Sequence, residues 1–575
     1  MKTPRALFLF FVTFGICTLG SCDFSPIIPE DPPLIPPAAS DRYTLEAENG
    51  TTNGIVLGPL TTYRTVEAES SGRKCVKLTG VGEYISWTAQ YAGNAVIVRY
   101  SIPDSFDGSG MTASLELRID GTLVHTFSLS SACAWVYGAY PWTNNPANGN
   151  AHKFYDEAQV KLETAFPAGA KIEVRKSNAD TDYIIIDLAD FENVGPAGTK
   201  PANALSITEV PFNAAGDGAT DDTAALASCI DSAKSQGKEV WIPAGNFKIG
   251  SVNVSNITIR GAGMWYSRLT GVNSKFECTG SLCRFYDFAV FGSTSIRNDN
   301  SGAENAFNGN PGSNSVLQRI WVERKKCAFW VGNWNNAVPA DNLKILDCRF
   351  RNLMADAVNL CNGTSNSLID GCSTRNTGDD ALASWSPSAG GPICKNNTFS
   401  NNEVCNPWFA SGIAVYGGSG HLILNNRISD TVSTGSGIFI AAHFSSWAFA
   451  GNITIKGNRV ERCGSNESDP GGPAGGIRVL ALDKDVNAAA ILIEDNDIID
   501  PVQTGISIQG PCAVTNLAFS SIRISGAPVR AIDIRSNAKG SAAFTSVTAS
   551  SSAAGILNSA GANFTVIKSS ENTGW

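Results

Sequence analysis

The sequence is short of several things. Charged residues make up only 17% of the 575, and basic residues do not outnumber acidic ones, 43 against 52, so the net charge is −9. A chain with no basic field has nothing to hold a polyanion, which excludes nucleic acid as a partner. Methionine is scarce, at 4 residues. Beyond the first residues no run reaches the roughly 18 apolar positions that a membrane helix needs. The 15 cysteines never take the paired CxxC spacing of a zinc site. Glycine, in contrast, is plentiful at 56, and Asn and Ser are abundant. Such a turn-rich composition predicts many short strands and an all-β chain. At roughly 100–200 residues per domain, the length allows three or four domains at most.

Lys2 and Arg5 precede an apolar run from Ala6 to Ile16. Charge and length make residues 1–21 a signal peptide rather than a membrane span. The run ends in Leu19-Gly20-Ser21-Cys22, which resembles the bacterial lipobox, and that resemblance implies lipidation at Cys22. Residues 22–41 are Pro-rich and read as a semi-extended linker. The expected location is the bacterial cell envelope, outside the cytoplasm, with the membrane touched only through the lipid anchor. Setting aside Cys17 and Cys22 leaves 13 cysteines. Cys278 with Cys283 and Cys394 with Cys405 are candidate local disulfides, and connectivity is otherwise open.

Residues 42–197 hold short alternating stretches such as Tyr84-Ile85-Ser86-Trp87, separated by turn residues. The pattern predicts a β-sandwich of jelly-roll type. Glu46 and Glu48 stand two apart and share a strand face. With Asp187 they would form a hard oxygen cage for a structural calcium ion. The loop 133–156 is rich in aromatics, and Tyr140 and Trp142 are its candidate sugar platforms.

Residues 198–575 change character. Asp221 or Asp222 can cap a helix whose Leu226, Ile230 and Ala233 share a face and which Gly237 can stop. Short strands then recur with fixed grammar. One column runs through Cys348, Cys372, Asn397, Asn426, Asn458 and Asn496, with steps of 24, 25, 29, 32 and 38. A second contains Asp356, Asp380, Gly412, Gly437, Gly476 and Gly505. Variable spacing with fixed grammar predicts a right-handed parallel β-helix of stacked coils, with the helix closing its first end.

In the second column two neighbouring coils carry acids. Asp356 stands beneath Asp380, about 4.8 Å away by strand spacing, and Asp379 is one residue earlier. Three carboxylates this close cannot all ionise cheaply. A protonated acid beside an ionised one is what glycoside hydrolysis uses. Trp330, Trp334, Trp385, Trp408, Tyr416 and Trp447 fall near the same turn on successive coils, a pattern suited to a groove for a neutral polysaccharide. No cofactor is expected for catalysis, and a monomer is expected.

The run Ala355-Asp356-Ala357 followed by Gly378-Asp379-Asp380-Ala381-Leu382-Ala383 resembles glycoside hydrolase family 87, the α-1,3-glucanases and mycodextranases. The ends of residues 42–197, with Glu46-Ala47-Glu48 and Asp187, resemble carbohydrate-binding modules of families 6 and 35, whose acids hold calcium. The first resemblance implies an inverting hydrolase acting on an α-glucan through Asp356, Asp379 and Asp380, with Asp379 as acid and the stacked pair holding the water. α-1,3-Glucan and nigeran both suit it. Polygalacturonases share the Gly-Asp-Asp run, but Gly412-Ile413-Ala414 lacks their His and the chain has no cationic field for a uronate. A lyase would want an Arg base near the acids, where Arg351 and Arg375 are the candidates. A surface glycan binder without catalysis is the remaining alternative.

Overall fold

A computed structural model describes residues 42–332, 339–468, 471–487 and 489–575. The leader, Cys22, the linker and Trp334 lie outside the described residues. Residues 43–192 form two antiparallel sheets. One contains the strands Ile55–Leu57, Cys75–Leu78, Ile184–Glu192, Gly93–Ser101 and Asp156–Phe166, with Tyr43–Glu46 paired to Ile184–Glu192. The other contains Thr51–Thr52, Tyr84–Thr88, Lys171–Arg175, Thr112–Ile119 and Thr122–Ser130. Alternate residues of each sheet share one core: Val96, Val98 and Ile186 from the first meet Leu115, Leu117 and Ile172 from the second. The period of two puts the intervening polar residues outside.

From Ala204 onward the strands pair in parallel, and a typical coil lays down three short ones, the first two being merged into one longer strand at Cys283–Phe291 and Val316–Glu323. In one coil they are Lys344–Leu346, Arg349–Arg351 and Val358–Leu360. In the next they are Leu368–Asp370, Ser373–Arg375 and Leu382–Trp385. The third strands of successive coils stack into a 12-stranded sheet, and inward Ile, Val, Leu and Phe fill the interior. The helix Thr223–Gln236 buries Leu226, Cys229, Ile230 and Ala233 against the first coil, and Gly237 ends it in a left-handed conformation, φ 63°. Its first turn is held by Asp221, whose carboxylate accepts from the Thr223 N–H at 3.0 Å, whereas Asp222 bonds back to Ala215 and Gly216. At the other end Trp575 closes edge-on over Phe544, 5.1 Å between centroids.

The register corrects the sequence columns in two places. The interior ladder runs Cys372, Asn402, Asn426, Asn458, Asn496: each side-chain oxygen accepts from the backbone N–H of the preceding rung at 2.9–3.0 Å. Asn397 belongs to a different ladder, between Ser367 and His421. Both Asn-Asn pairs, 396–397 and 401–402, offer the same local signal, and only strand pairing separates them. Likewise Val358 pairs with Leu382 and Leu382 with Ile413, so Asp356 and Asp380 align with Ser411, not with Gly412. The 13 described cysteines are all free. Several, such as Cys348 and Cys372, direct their thiols to backbone carbonyls inside the coil stack.

The two-sheet unit sits on the face formed by strands such as 349–351 and 373–375. Arg375 donates to Glu157 at 2.7 Å and to Asp190 at 2.6 Å. Arg349 pairs with Glu192, and Arg324 with Asp156 at 2.9 Å. Burial opposes ionisation of Asp190, but Arg375 and Arg42 outweigh it and hold its carboxyl well below the usual range. Arg351, buried and 3.7 Å from Glu157, and Arg375 both belong to this contact and are not bases beside the acids, which removes the lyase reading's candidates.

Candidate functional site: three carboxylates on adjacent coils

Immediately after that face each coil turns, and the turn carries the acids. Asn352 and Asn376 occupy left-handed positions, φ 54° and 63°. Asn tolerates these better than other side chains do. Asn376 donates to Asn352 at 2.8 Å and to the Tyr155 carbonyl at 3.1 Å, so the turn is tied both to its neighbour and to the two-sheet unit. Two residues later Gly378 lies against Trp408; a Cβ there would fall 2.1 Å from a ring carbon and 2.5 Å from the Met354 carbonyl oxygen. Only glycine fits this approach.

Asp356, Asp379 and Asp380 each offer an oxygen within 4.8 Å of the others, the one such acidic cluster among the described residues. Their surroundings differ. Asp356 is buried, and Asn359 donates to it at 3.1 Å. Burial first, then the charges of Asp379 and Asp380, push its carboxyl well above the ordinary range. Asp380 is also buried, and burial with the Asp379 charge brings it to about 7. Two donors favour its ionised form: the Tyr416 hydroxyl at 2.6 Å and the Ser411 N–H at 2.8 Å. Asp379 is the most open of the three, its side chain 26% exposed, and the Arg297 guanidinium donates to it at 2.6 Å. Groups this close titrate as a set, and at neutral pH the set keeps at least one proton.

The cluster borders a cleft of about 520 Å³ lined by Arg297, Asn305, Asn308, Trp330, Asp356 and Trp385. Trp330 and Trp385 meet edge to face, 6.4 Å between centroids. Trp447 is 40% exposed, farther along, and its indole donates to the Gly391 carbonyl at 3.0 Å. Tyr140 is 52% exposed and stands beside Arg297. Three expected platforms are corrected. Trp408 is fully buried, its indole donating to the Leu353 carbonyl at 3.2 Å. Trp142 is buried against it, 4.9 Å between centroids. Tyr416 is buried and serves Asp380 through its hydroxyl; burial and the Asp380 charge keep that hydroxyl protonated. Apolar packing between the two-sheet unit and the coils claimed the two Trp rings. Sequence position, which shows only that they are near the turn, cannot reveal it.

Sequence reasoning missed Arg297, which lies in the irregular stretch between the strands Cys283–Phe291 and Phe307–Gly309, where no periodicity marks it.

The expected calcium cage does not assemble. Asp187 gives one oxygen to Arg99 at 2.5 Å and the other to the Ser71 N–H at 2.9 Å. Glu46 accepts from the Ser71 hydroxyl at 2.8 Å, and Glu46 and Glu48 each keep one buried oxygen without a hydrogen-bond partner. Burial, then the Asp187 charge, pushes Glu46 up to about 8. Arg99 already compensates Asp187, so of the three expected ligands only Glu46 and Glu48 keep an oxygen without a hydrogen bond.

Among known proteins, the family model for the α-1,3-glucanase catalytic domain D1 matches residues 40–194, and that for domain D2 matches residues 219–575. The segment expected to be an accessory carbohydrate-binding module thus matches a domain described as catalytic. No curated protein matches. Among solved structures, the catalytic unit of a thermostable glycoside hydrolase family 87 α-1,3-glucanase from Streptomyces thermodiastaticus is 31% identical, with a TM-score of 0.83 over 93% of this chain and 97% of that one. A family 87 α-1,3-glucanase catalytic domain in complex with nigerose is 26% identical, with a TM-score of 0.82 over 93% and 99%. Another, in complex with tetrasaccharides and with one Asp replaced by Ala, is 27% identical, with a TM-score of 0.83 over 93% and 99%. Two more family 87 catalytic-domain structures, one with tetrasaccharides and one with nigerose, each have another Asp replaced by Ala.

Proposed function

The chain belongs to glycoside hydrolase family 87, the α-1,3-glucanases, and from that premise we propose that it hydrolyses α-1,3-glucosidic bonds of a neutral α-glucan with inversion, using Asp356, Asp379 and Asp380. One observation carries the assignment: three carboxylates on two adjacent coils, one of them bonded to Arg297, at the edge of a tryptophan-lined cleft. A second supports it. The three Asp replaced in the solved relatives are spaced by 23 residues and then one, as Asp356, Asp379 and Asp380 are here.

The chemistry follows from the environments. Asp379, the most exposed of the three, protonates the leaving glycosidic oxygen. Its proton comes from the buried set, in which Asp356 is the most reluctant to ionise in the resting state. Transfer of that proton from Asp356 to Asp379 leaves Asp356 and Asp380 as a pair of carboxylates. They take a proton from water as it attacks the anomeric carbon on the opposite face. The C–O bond to the leaving sugar breaks with its electron pair on oxygen, Asp379 supplies the proton there, and the buried pair ends with the proton from water. General acid and general base contribute about 10²–10⁴-fold each. Inverting enzymes hold their carboxyl groups roughly 6.5–9.5 Å apart. The nearest oxygens of the three carboxyls here lie within 4.8 Å of one another, so the anomer of the first product is the decisive test of inversion.

We also propose that Cys22 carries lipid, that Pro-rich residues hold the enzyme off the membrane of the cell envelope, and that the enzyme acts as a monomer.

The test is reducing-sugar release by residues 42–575 from α-1,3-glucan, nigeran, dextran, starch and polygalacturonate, beside Asp379→Asn. Release from α-1,3-glucan, lost in the variant, is expected; release from nigeran alone would move the assignment to that glucan. NMR of the first product should show the β-anomer, and an initial α-anomer would overturn inversion. Glucan binding without release by either protein would leave a binder and end the catalytic reading.

A further inference from the structure

Arg297 is gripped from three directions. Its Nε donates to Asp299 at 2.7 Å, one terminal nitrogen donates to the Gly378 carbonyl at 3.0 Å, and the other donates to Asp379 at 2.6 Å. It therefore holds two consecutive residues of the acid-bearing turn. Its own segment is tied to the coil below: Lys326 donates to the carbonyls of Asn298 at 2.9 Å and Ser301 at 2.6 Å, while the Lys326 carbonyl accepts from the Ala355 N–H at 2.8 Å. The guanidinium is 5.0 Å from the Tyr140 ring centroid and 5.8 Å from that of Trp142, both on the 133–156 loop of the two-sheet unit. Trp142 also packs on Trp408, the ring against which Gly378 lies. One loop thus touches the acid-bearing turn by two routes, through Arg297 and through Trp408.

We infer that Arg297 is a positioning residue for Asp379, and that Tyr140 and Trp142 of the two-sheet unit hold Arg297 in place, so the site is completed by the unit read from sequence as an accessory module. The inference rests on the hydrolase reading above. A planar guanidinium can bond three acceptors while presenting its face to aromatic rings, and an ammonium cannot. Arg297 is almost fully buried, so its attraction for Asp379 is weakly screened. The charged groups that face the cluster are Asp299, Arg297 and Lys326 besides the three acids themselves, and the Tyr416 hydroxyl joins them. Of the cations, Arg297 alone among these contacts a catalytic carboxylate.

The experiment compares the parent with Arg297→Gln, Arg297→Lys and Tyr140→Ala on α-1,3-glucan, taking kcat, KM and the pH profile of each, with melting curves to confirm folding. Arg297→Gln should lower kcat by at least 100-fold. Loss of the cation disfavours the ionised cluster, so the whole pH profile should move to higher pH by about one to three units. Arg297→Lys should restore the position of the profile but only part of kcat, because the charge returns and the three-way grip does not. Tyr140 is half exposed, so its Ala variant should fold. It should lose several-fold in kcat and shift the profile in the same direction by less. If Tyr140→Ala raises KM and leaves kcat and the profile alone, the ring is a sugar platform and the inference fails. The same holds if Arg297→Gln keeps the parent's kcat and profile. A parent that cleaves no α-glucan overturns the hydrolase reading, and the inference falls with it; an active parent with unaffected variants overturns the inference alone.

Discussion

Two charged clusters lie on the same pair of coils, five residues apart along each strand and turn. Arg351 and Arg375 face the two-sheet unit; Asp356 and Asp380 lie on the turn that follows, where Asp356 lines the cleft. Both clusters are buried. In the first, Arg375 meets Glu157 and Asp190, and Asp190 also feels Arg42, so acids and cations alternate and the carboxyls stay ionised. In the second, the nearby cation is Arg297, which bonds Asp379 alone; Asp356 is pushed well above the ordinary carboxylate range and Asp380 to about 7. Burial is common to both, so burial alone does not set the protonation state. The count of compensating charges does. A compensated cluster is fixed in one protonation state and holds parts together, whereas an undercompensated one can exchange protons at working pH.

The difference can be broken from either side. The largest effect is expected at the undercompensated cluster. Asp356→Asn should cut kcat by about 10³-fold, within the range for loss of an acid–base group, while its melting temperature holds or rises, since a buried, repelling carboxyl is gone. Activity near that of the parent would remove Asp356 from the set. Next comes Arg375→Met in the compensated cluster. It leaves Glu157 and Asp190 buried without their partner, and should cost about 3–5 kcal/mol in denaturant unfolding. A cost near zero would show that the contact between the two-sheet unit and the coils does not depend on this pairing.

Tyr416→Phe sharpens the comparison within the site. It removes the hydroxyl that stabilises ionised Asp380, a hydrogen bond to a charged group worth about 1.5–3 kcal/mol. The acidic limb of the pH profile should then move up, by about one unit or more, and an unmoved limb would mean that Asp380 is not the group titrating there. The smallest effect is expected at Glu46, whose folded-state carboxyl lies at about 8. Its raised value means that its contribution to stability is full below the unfolded value near 4.5 and is lost as pH rises through about 8. The melting temperature should therefore fall between pH 5 and 8, and Glu46→Gln should flatten that fall. An unchanged slope would show that Glu46 already ionises in the folded protein.

The parts legible in the sequence were those that local pattern governs. Short strands at coil-length intervals, the helix before them and the stacking of Asp356 on Asp380 all follow from the alternation of buried and exposed positions. The slip at Asn397 marks where that logic ends. Two Asn pairs five residues apart look alike until the neighbouring coil selects one by hydrogen bonding. The tryptophans show the same limit. Trp330 and Trp385 lie on third strands with rings directed outward, as periodicity suggests, but Trp408 was near the right turn and inside the protein.

The sequence by itself determined the all-β character of the chain, the repeating coils and the identity of three acids, because each depends on residues close in number or one coil apart. Tertiary structure alone decided which cation pairs with Asp379, which aromatics face the cleft, and that the N-terminal unit reaches the acid-bearing turn. Arg297 and Asp379 are far apart in sequence, and Tyr140 is farther still. Their meeting depends on the packing of one unit on the face of another. Such packing is a sum over many distant contacts, and no local spacing encodes it.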